Sequence, residues 1–347
     1  MTVQGRDFYA SMVLRRQLIL LALAAAVFLS LCTDLALGPA RYSLGQVVEA
    51  LLWPGSVDEQ ARVILWEIRM PVALMALVVG ASLSVAGMQM QTILNNPLAS
   101  PFTLGISAGA GFGAALALAF GVALFPFAAE YIIPVNAFLM AMLTSLAIYA
   151  LSLRQGVNNE TIILLGIALV FIFNALMSLI QFFASQQAVA AVVFWTMGSL
   201  TKATWPKLWI LLAILAAATP LLMRRGWALT AMRLGDAKAE SMGVNLRALR
   251  LEVLLIVSLL ASVSVSFVGT IGFIGLVGPH IARMLLGEDQ RFLLPGSALA
   301  GALILSVGSV LSKTIIPGTV IPIGIVTAIA GIPFFLYLIL SRRVSSW

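Results

Sequence analysis

Apolar residues in this chain come in about ten long stretches, several of them broken near the middle by glycine, proline or amide side chains. A bilayer core about 30 Å thick asks for roughly 20 apolar residues per crossing helix. The stretches therefore predict spans over residues 18–37, 72–93, 104–124, 133–153, 161–183, 208–223, 251–271, 273–286, 293–311 and 321–340. The fold class that follows is all-α, a polytopic membrane protein with ten transmembrane helices. The eighth stretch is short enough to be re-entrant. Backbone left unpaired in hydrocarbon is costly, so broken helices persist only where they line a cavity or pack on protein, and that points to transport rather than anchoring.

Composition agrees: 61% of the 347 residues are hydrophobic and 10% charged, with a mean hydropathy of +1.08, which excludes an ordinary soluble domain. The lone cysteine, Cys32, permits no intramolecular disulfide. The first stretch follows Arg15 and Arg16 but is too long for a secretory signal, and bulky Leu31 stands where lipoprotein cleavage needs a small residue, so it reads as an uncleaved first helix.

The net charge of +7 is unevenly distributed. With ten crossings, one side collects Arg6, Arg15, Arg16, Arg154, Arg224, Arg225, Arg233, Lys238, Arg247, Arg250, Arg283, Arg291, Arg342 and Arg343. The other holds Arg41, Arg62, Arg69, Lys202, Lys207 and Lys313, balanced by carboxylates. Cytoplasmic loops are enriched in Lys and Arg, so both termini are expected in the cytoplasm, and the charge signals orientation rather than nucleic-acid binding. If the eighth stretch did not cross, one terminal arginine pair would be stranded outside.

Two segments outside the spans have shape. Residues 38–70, with Trp53 and Trp66, suit the outer interface. Residues 228–250 predict two short cytoplasmic helices: one N-capped by Asp236 after Gly235 and closed by Gly243, the next capped by Asn245 and leading into the seventh span. Residues 82–87 with Pro97 share their spacing with 264–269 and Pro279, an echo that suits an inverted repeat.

No catalytic or metal-ligating constellation is present. His280 is the sole histidine, with no cysteine or second histidine at ligand spacing. There is no GxxxxGK followed by Ser or Thr, so the chain carries no P-loop of its own, and ATP-powered transport would need a second protein. An ion-coupled secondary transporter, the distant alternative, needs mid-membrane carboxylates, whereas Asp34 and Glu252 fall near span ends.

The segments Arg69-Met70-Pro71, Asn95-Asn96-Pro97-Leu98-Ala99-Ser100-Pro101, Leu234-Gly235-Asp236, Ser241-Met242-Gly243, Gly278-Pro279-His280 and Pro322-Ile323-Gly324 stand in order from about residue 65 to the C-terminus. In these blocks the chain resembles the permease subunits of ABC importers for ferric siderophores, haem and cobalamin. The resemblance implies a type II importer architecture, in which 1–347 form a single transmembrane permease domain in the bacterial inner membrane. The implied partners are a second permease subunit, a homodimer being favoured, two ATPase subunits that carry ATP and Mg, and a periplasmic substrate-binding protein. It implies no cofactor in this chain, an iron chelate as cargo, and haem or cobalamin as the alternative.

Residue by residue, the resemblance implies ATPase coupling at Gly235, Asp236, Ala237, Ala239, Glu240, Ser241, Met242 and Gly243, where small side chains allow close approach. It implies binding-protein docking at Arg69 and Lys313, with Val72 and Val320 departing from the arginine and glutamate usual there. It further implies a cytoplasmic gate at Asn96, Pro97, Leu98, Asn159 and Glu160. The mid-span amides Gln89, Gln91, Asn174 and Gln181 are candidates to face either the pathway or a neighbouring helix.

Overall fold

The computed structural model describes residues 3–38, 42–53, 55–125, 129–152 and 159–341. Arg41, Arg154, Arg342 and Arg343, used above for orientation, lie outside the described residues. Fifteen α-helices are described: α1 (Val3–Ala36), α2 (Leu44–Leu52), α3 (Glu59–Arg62), α4 (Met70–Ile93), α5 (Ile106–Phe120), α6 (Ile132–Ser152), α7 (Asn159–Phe183), α8 (Gln186–Thr196), α9 (Trp205–Arg224), α10 (Gly226–Met232), α11 (Asp236–Ser241), α12 (Leu246–Val268), α13 (Ile274–Leu286), α14 (Gln290–Thr314) and α15 (Ile323–Ser341). A π-helical stretch, Val63–Arg69, joins α3 to α4, so one helix runs unbroken over Glu59–Ile93.

Among the described residues, seven helices are long and apolar enough to cross a membrane, and three shorter apolar helices, Ile106–Phe120, Ile274–Leu286 and Ile323–Tyr337, complete ten. The eighth predicted span is α13. Its 13 residues rise about 20 Å, and an irregular stretch, 269–273, leads into it. Helix α5 is similarly short and follows the irregular stretch 94–105.

Two predictions for the connecting segments are corrected. The second helix begins well before residue 72, so 38–70 is not one interfacial segment: α2 lies apart, and 59–69 already belongs to the helix leading into α4. Helix α2 forms because Ser43 and Gln46 make a reciprocal capping box. In the 228–250 segment the two short helices are α10 and α11, whereas Asn245 caps the long α12, accepting from the Ala248 amide at 3.0 Å.

Helix α4 is the central element, with most of its length buried against α12, α13 and α14. Small residues make this approach feasible. A Cβ on Gly80 would overlap the Gly301 carbonyl, and one on Gly87 would overlap the Gly275 carbonyl, so backbones touch where side chains normally intervene. Met75, Met88 and Met90, which flank these contacts along α4, are fully buried.

The pairing is repeated about the α4–α12 contact. Helix α5 packs on α6 and α12, as α13 packs on α14 and α4. The sequence echo is looser than the packing, since Pro97 lies in a loop and Pro279 inside α13. By contrast, α1 and α7 are largely exposed along their apolar lengths, with Phe28 and Leu29 on α1 and Phe171 and Phe182 on α7 turned outward, which suits lipid or a second subunit.

Candidate functional site

Helix α11 projects from one end of the bundle. Gly235 precedes it at φ +97 and Gly243 follows at φ +84, backbone conformations in which glycine carries no Cβ penalty. Asp236 does not cap the helix as expected: its carboxylate accepts two hydrogen bonds from Arg250 Nη2, at 2.9 and 2.8 Å. Arg250 Nε also donates to the Ile93 carbonyl at 3.2 Å, so one guanidinium ties α11 to α12 and to the last turn of α4. Ala237, Glu240, Ser241, Met242 and Gly243 are exposed. Ala239 is corrected, because it is fully buried beneath α11 and leaves Ala237 and Ser241 as the small residues open to a partner. Leu234 and Met242 add exposed apolar surface at either end of the helix.

Beside α11, Arg233 bonds Glu288 at 2.9 Å and reaches Asn95 Oδ1 at 3.4 Å, and Arg283 Nε meets the same Glu288 at 3.0 Å. The knob is thus fastened both to the loop after α4 and to the turn between α13 and α14. That turn is reinforced by Asp289, whose carboxyl is held below the usual aspartate range by hydrogen bonds from Arg291, against the opposing effect of partial burial. Reading Arg233, Arg250 and Arg283 only as orientation charges missed this network; the nearby acidic Asp236 and Glu288 were its available signal.

The gate candidates lie on the same end. Asn96 and Pro97 are half-buried and Leu98 exposed, in a turn closed by the Leu98 amide donating to Asn96 Oδ1 at 2.8 Å. Asn159 opens α7, its side chain being outside the described set, and Glu160 is exposed. Gly166 on α7 packs directly against Thr103 and Leu104, so the helix that Asn159 opens touches the stretch that follows Leu98.

The pathway amides divide. Gln89 and Gln91 are buried and bind neighbouring helices rather than a cavity: Gln89 Nε2 donates to Gln290 Oε1 at 3.2 Å, and Gln91 Oε1 accepts from Arg283 Nη1 at 2.9 Å. Interhelical fastening therefore replaces pathway lining at those two positions. Asn174 is exposed and Gln181 half-buried on α7, in line with the exposed Ser178.

The opposite end is built differently. Arg69 is buried and its Nη1 donates to the carbonyls of Leu35 at 2.7 Å and Ala36 at 3.3 Å, capping the C-terminus of α1, while its guanidinium stacks over Tyr42. Lys313 reaches the fully buried Asp34 at 2.8 Å, and Ser309 Oγ donates to the same carboxylate. Neither cation presents itself at the surface as a docking residue would. Trp66 Nε1 donates to the Ala50 carbonyl and Trp205 Nε1 to the Trp66 carbonyl, binding α2, the π-helical stretch and α9 together.

A ten-helix bundle with a fastened knob at one end, and with Arg69 and Lys313 turned inward at the other, has the make-up of a transport permease. The chain belongs to the FecCD transport family, whose pattern matches residues 22–341. MJ0087 of Methanocaldococcus jannaschii, named as an ABC transporter permease, is 41% identical over 92% of this chain and 93% of its own. The hemin transport system permease HmuU of Yersinia pestis is 36% identical over 91% of this chain and 94% of its own, and the vitamin B12 import permease BtuC of Serratia proteamaculans is 36% identical over 85% and 87%. A solved inward-facing structure of a metal-chelate type ABC transporter superposes with a TM-score of 0.81 at 30% identity, covering 93% of this chain and 99% of its own. The architecture is that of a type II ABC importer permease.

Proposed function

We propose that this chain forms, as a homodimer, the membrane pathway of an importer for a ferric siderophore, with α11 as the seat of a separate ATPase that carries ATP and Mg. The observation that carries this reading is the fastening of α11: Arg250 joins it to α12 and α4, and Arg233 joins its base to the Asn95 loop. An element held at several points moves as a rigid body, so ATPase closure against it is transmitted to the helices rather than absorbed. The end bearing α11 is then cytoplasmic, in keeping with the arginines collected there, and the protein lies in the inner membrane with both termini inside.

In this reading the turn at Asn96, Pro97 and Leu98 and the start of α7 at Asn159 and Glu160 close the inner mouth. Asn174 and Gln181 line the route, and a substrate-binding protein delivers cargo at the α2 end. Arg69 and Lys313 support that end from within, and the exposed Leu52, Trp53, Ile315 and Ile316 offer it a mainly apolar contact surface. Haem or cobalamin is the second reading, favoured by the names of HmuU and BtuC.

The test is reconstitution of the permease with its ATPase and binding protein in liposomes, following ATP hydrolysis and uptake of a ferric siderophore, haem and cobalamin in parallel. Siderophore-stimulated hydrolysis with uptake is expected. Hydrolysis stimulated only by haem or cobalamin would overturn the cargo, and a purified complex without an ATPase would overturn the mechanism.

A further inference from the structure

A crevice of about 250 Å³ lies between α1 and α13, lined by Met12, Arg15, Arg16, Ile19, Met284 and Gly287 among others. It sits at the end of the bundle that bears α11, where Arg16 meets Asp289 at 3.6 Å. Two features separate it from the apolar grooves elsewhere on the bundle. Its rim carries a pair of guanidinium groups, and its wall on α13 continues into exposed apolar surface at Met284 and Leu285.

Among the described residues, cations outnumber carboxylates here. Asp289 is shared by Arg16 and by Arg291, the latter at 2.7 Å, and the neighbouring Glu288 is occupied by Arg233 and Arg283. Arg15 is exposed and makes no ion pair among the described residues. A pair of guanidinium groups beside exposed Met284 and Leu285, at the membrane boundary of a helix bundle, matches an amphiphile with an anionic head and hydrocarbon tails.

We propose that this crevice binds an anionic phospholipid, its phosphate held by Arg15 and Arg16 and its acyl chains lying against Ile19, Met284 and Leu285. The phosphate supplies an anion for Arg15, which has no ion-pair partner among the described residues, and lets Arg16 keep Asp289 as a second, more distant partner. The lipid also spans two elements that otherwise meet sparingly, so it fastens the first helix to the α13–α14 turn on which Arg233 bears.

Native mass spectrometry of the full-length permease in its assembled complex, titrated with phosphatidylglycerol or phosphatidylcholine, tests this. Phosphatidylglycerol should be retained in preference to phosphatidylcholine. Arg15→Gln should weaken retention about fivefold, and Arg15→Gln with Arg16→Gln about 25-fold, as expected when each surface cation contributes a similar increment. Arg15→Lys should restore most of it, Arg247→Gln, an exposed arginine on the same end, should leave it unchanged, and equimolar inorganic phosphate should not displace the lipid. Equal retention of the two lipids, wild-type binding by the double variant, equal loss in Arg247→Gln, no rescue by Arg15→Lys, or displacement by inorganic phosphate would each overturn the proposal.

Discussion

The two ends of the bundle use the same residue types in opposite ways. At the α11 end, arginines that are themselves largely covered bridge separate elements through carboxylates that still meet solvent, Asp236 and Glu288, and leave Ala237 and Glu240 accessible. At the α2 end, Arg69 and Lys313 are turned inward, one onto the carbonyls of α1 and one onto a carboxylate with no solvent exposure. A pair whose carboxylate meets solvent can exchange partners at less cost than one whose carboxylate is fully buried, where loss of the cation strands a charge. The second end therefore keeps its own helices in register through buried partners, while the first leaves exposed side chains beside its bridges.

Substitutions should divide along the same line, with folding sensitive at the α2 end and partner contact sensitive at the α11 end. The largest effect is expected from Asp34→Asn, which leaves the Lys313 ammonium buried without its carboxylate and should destabilise the permease by about 3–5 kcal/mol. Thermal unfolding in detergent measures this, and Asp34→Asn combined with Lys313→Met should recover much of the loss. If the single variant melts like wild type, the α2 end is not organised by that pair. Arg69→Met should follow, losing charged donors to Leu35 and Ala36 at a cost of about 1.5–3 kcal/mol, seen as early proteolysis near the end of α1.

At the other end, Ala237→Trp should leave the melting temperature unchanged and reduce ATPase co-purification at least about tenfold, since a bulky ring on the exposed face blocks close approach. Unimpaired co-purification would remove α11 from the contact. The smallest effect concerns pH. Because Arg291 holds the Asp289 carboxyl below the usual range, its contribution is complete above that range and is lost as pH falls through the lowered value. Wild type and Asp289→Asn should differ slightly in stability near neutral pH and converge on acidification.

The ten crossings were legible because each must carry a long apolar run whatever its neighbours. The stretch 59–69 was not, since Arg62, Glu67 and Arg69 give it the look of a loop, and its helicity depends on Trp66 packing across to Trp205. Helix α8 escaped notice because its 11 residues are too few to cross and follow closely on α7. The knob was legible from Gly235 and Gly243, which punctuate it. Which of its alanines faced inward depended on how α11 settles on the bundle. Gln89 and Gln91 show the same limit: an amide in an apolar helix announces a polar contact, but only the neighbouring helix decides whether the partner is solute or protein.

The seven-residue π-helical stretch before α4 takes up a wider turn than an α-helix would. One surplus residue absorbed there shifts everything upstream by about 100° around the helix axis relative to α4. Trimming a single position between Val63 and Ile68 would restore ordinary winding with Glu59 and Arg62 facing nearly as they do now, whereas rewinding the same seven residues as α-helix would swing both round the cylinder relative to α4. The cradle of Trp66 against Ala50 and Trp205 would then have no register in which to form.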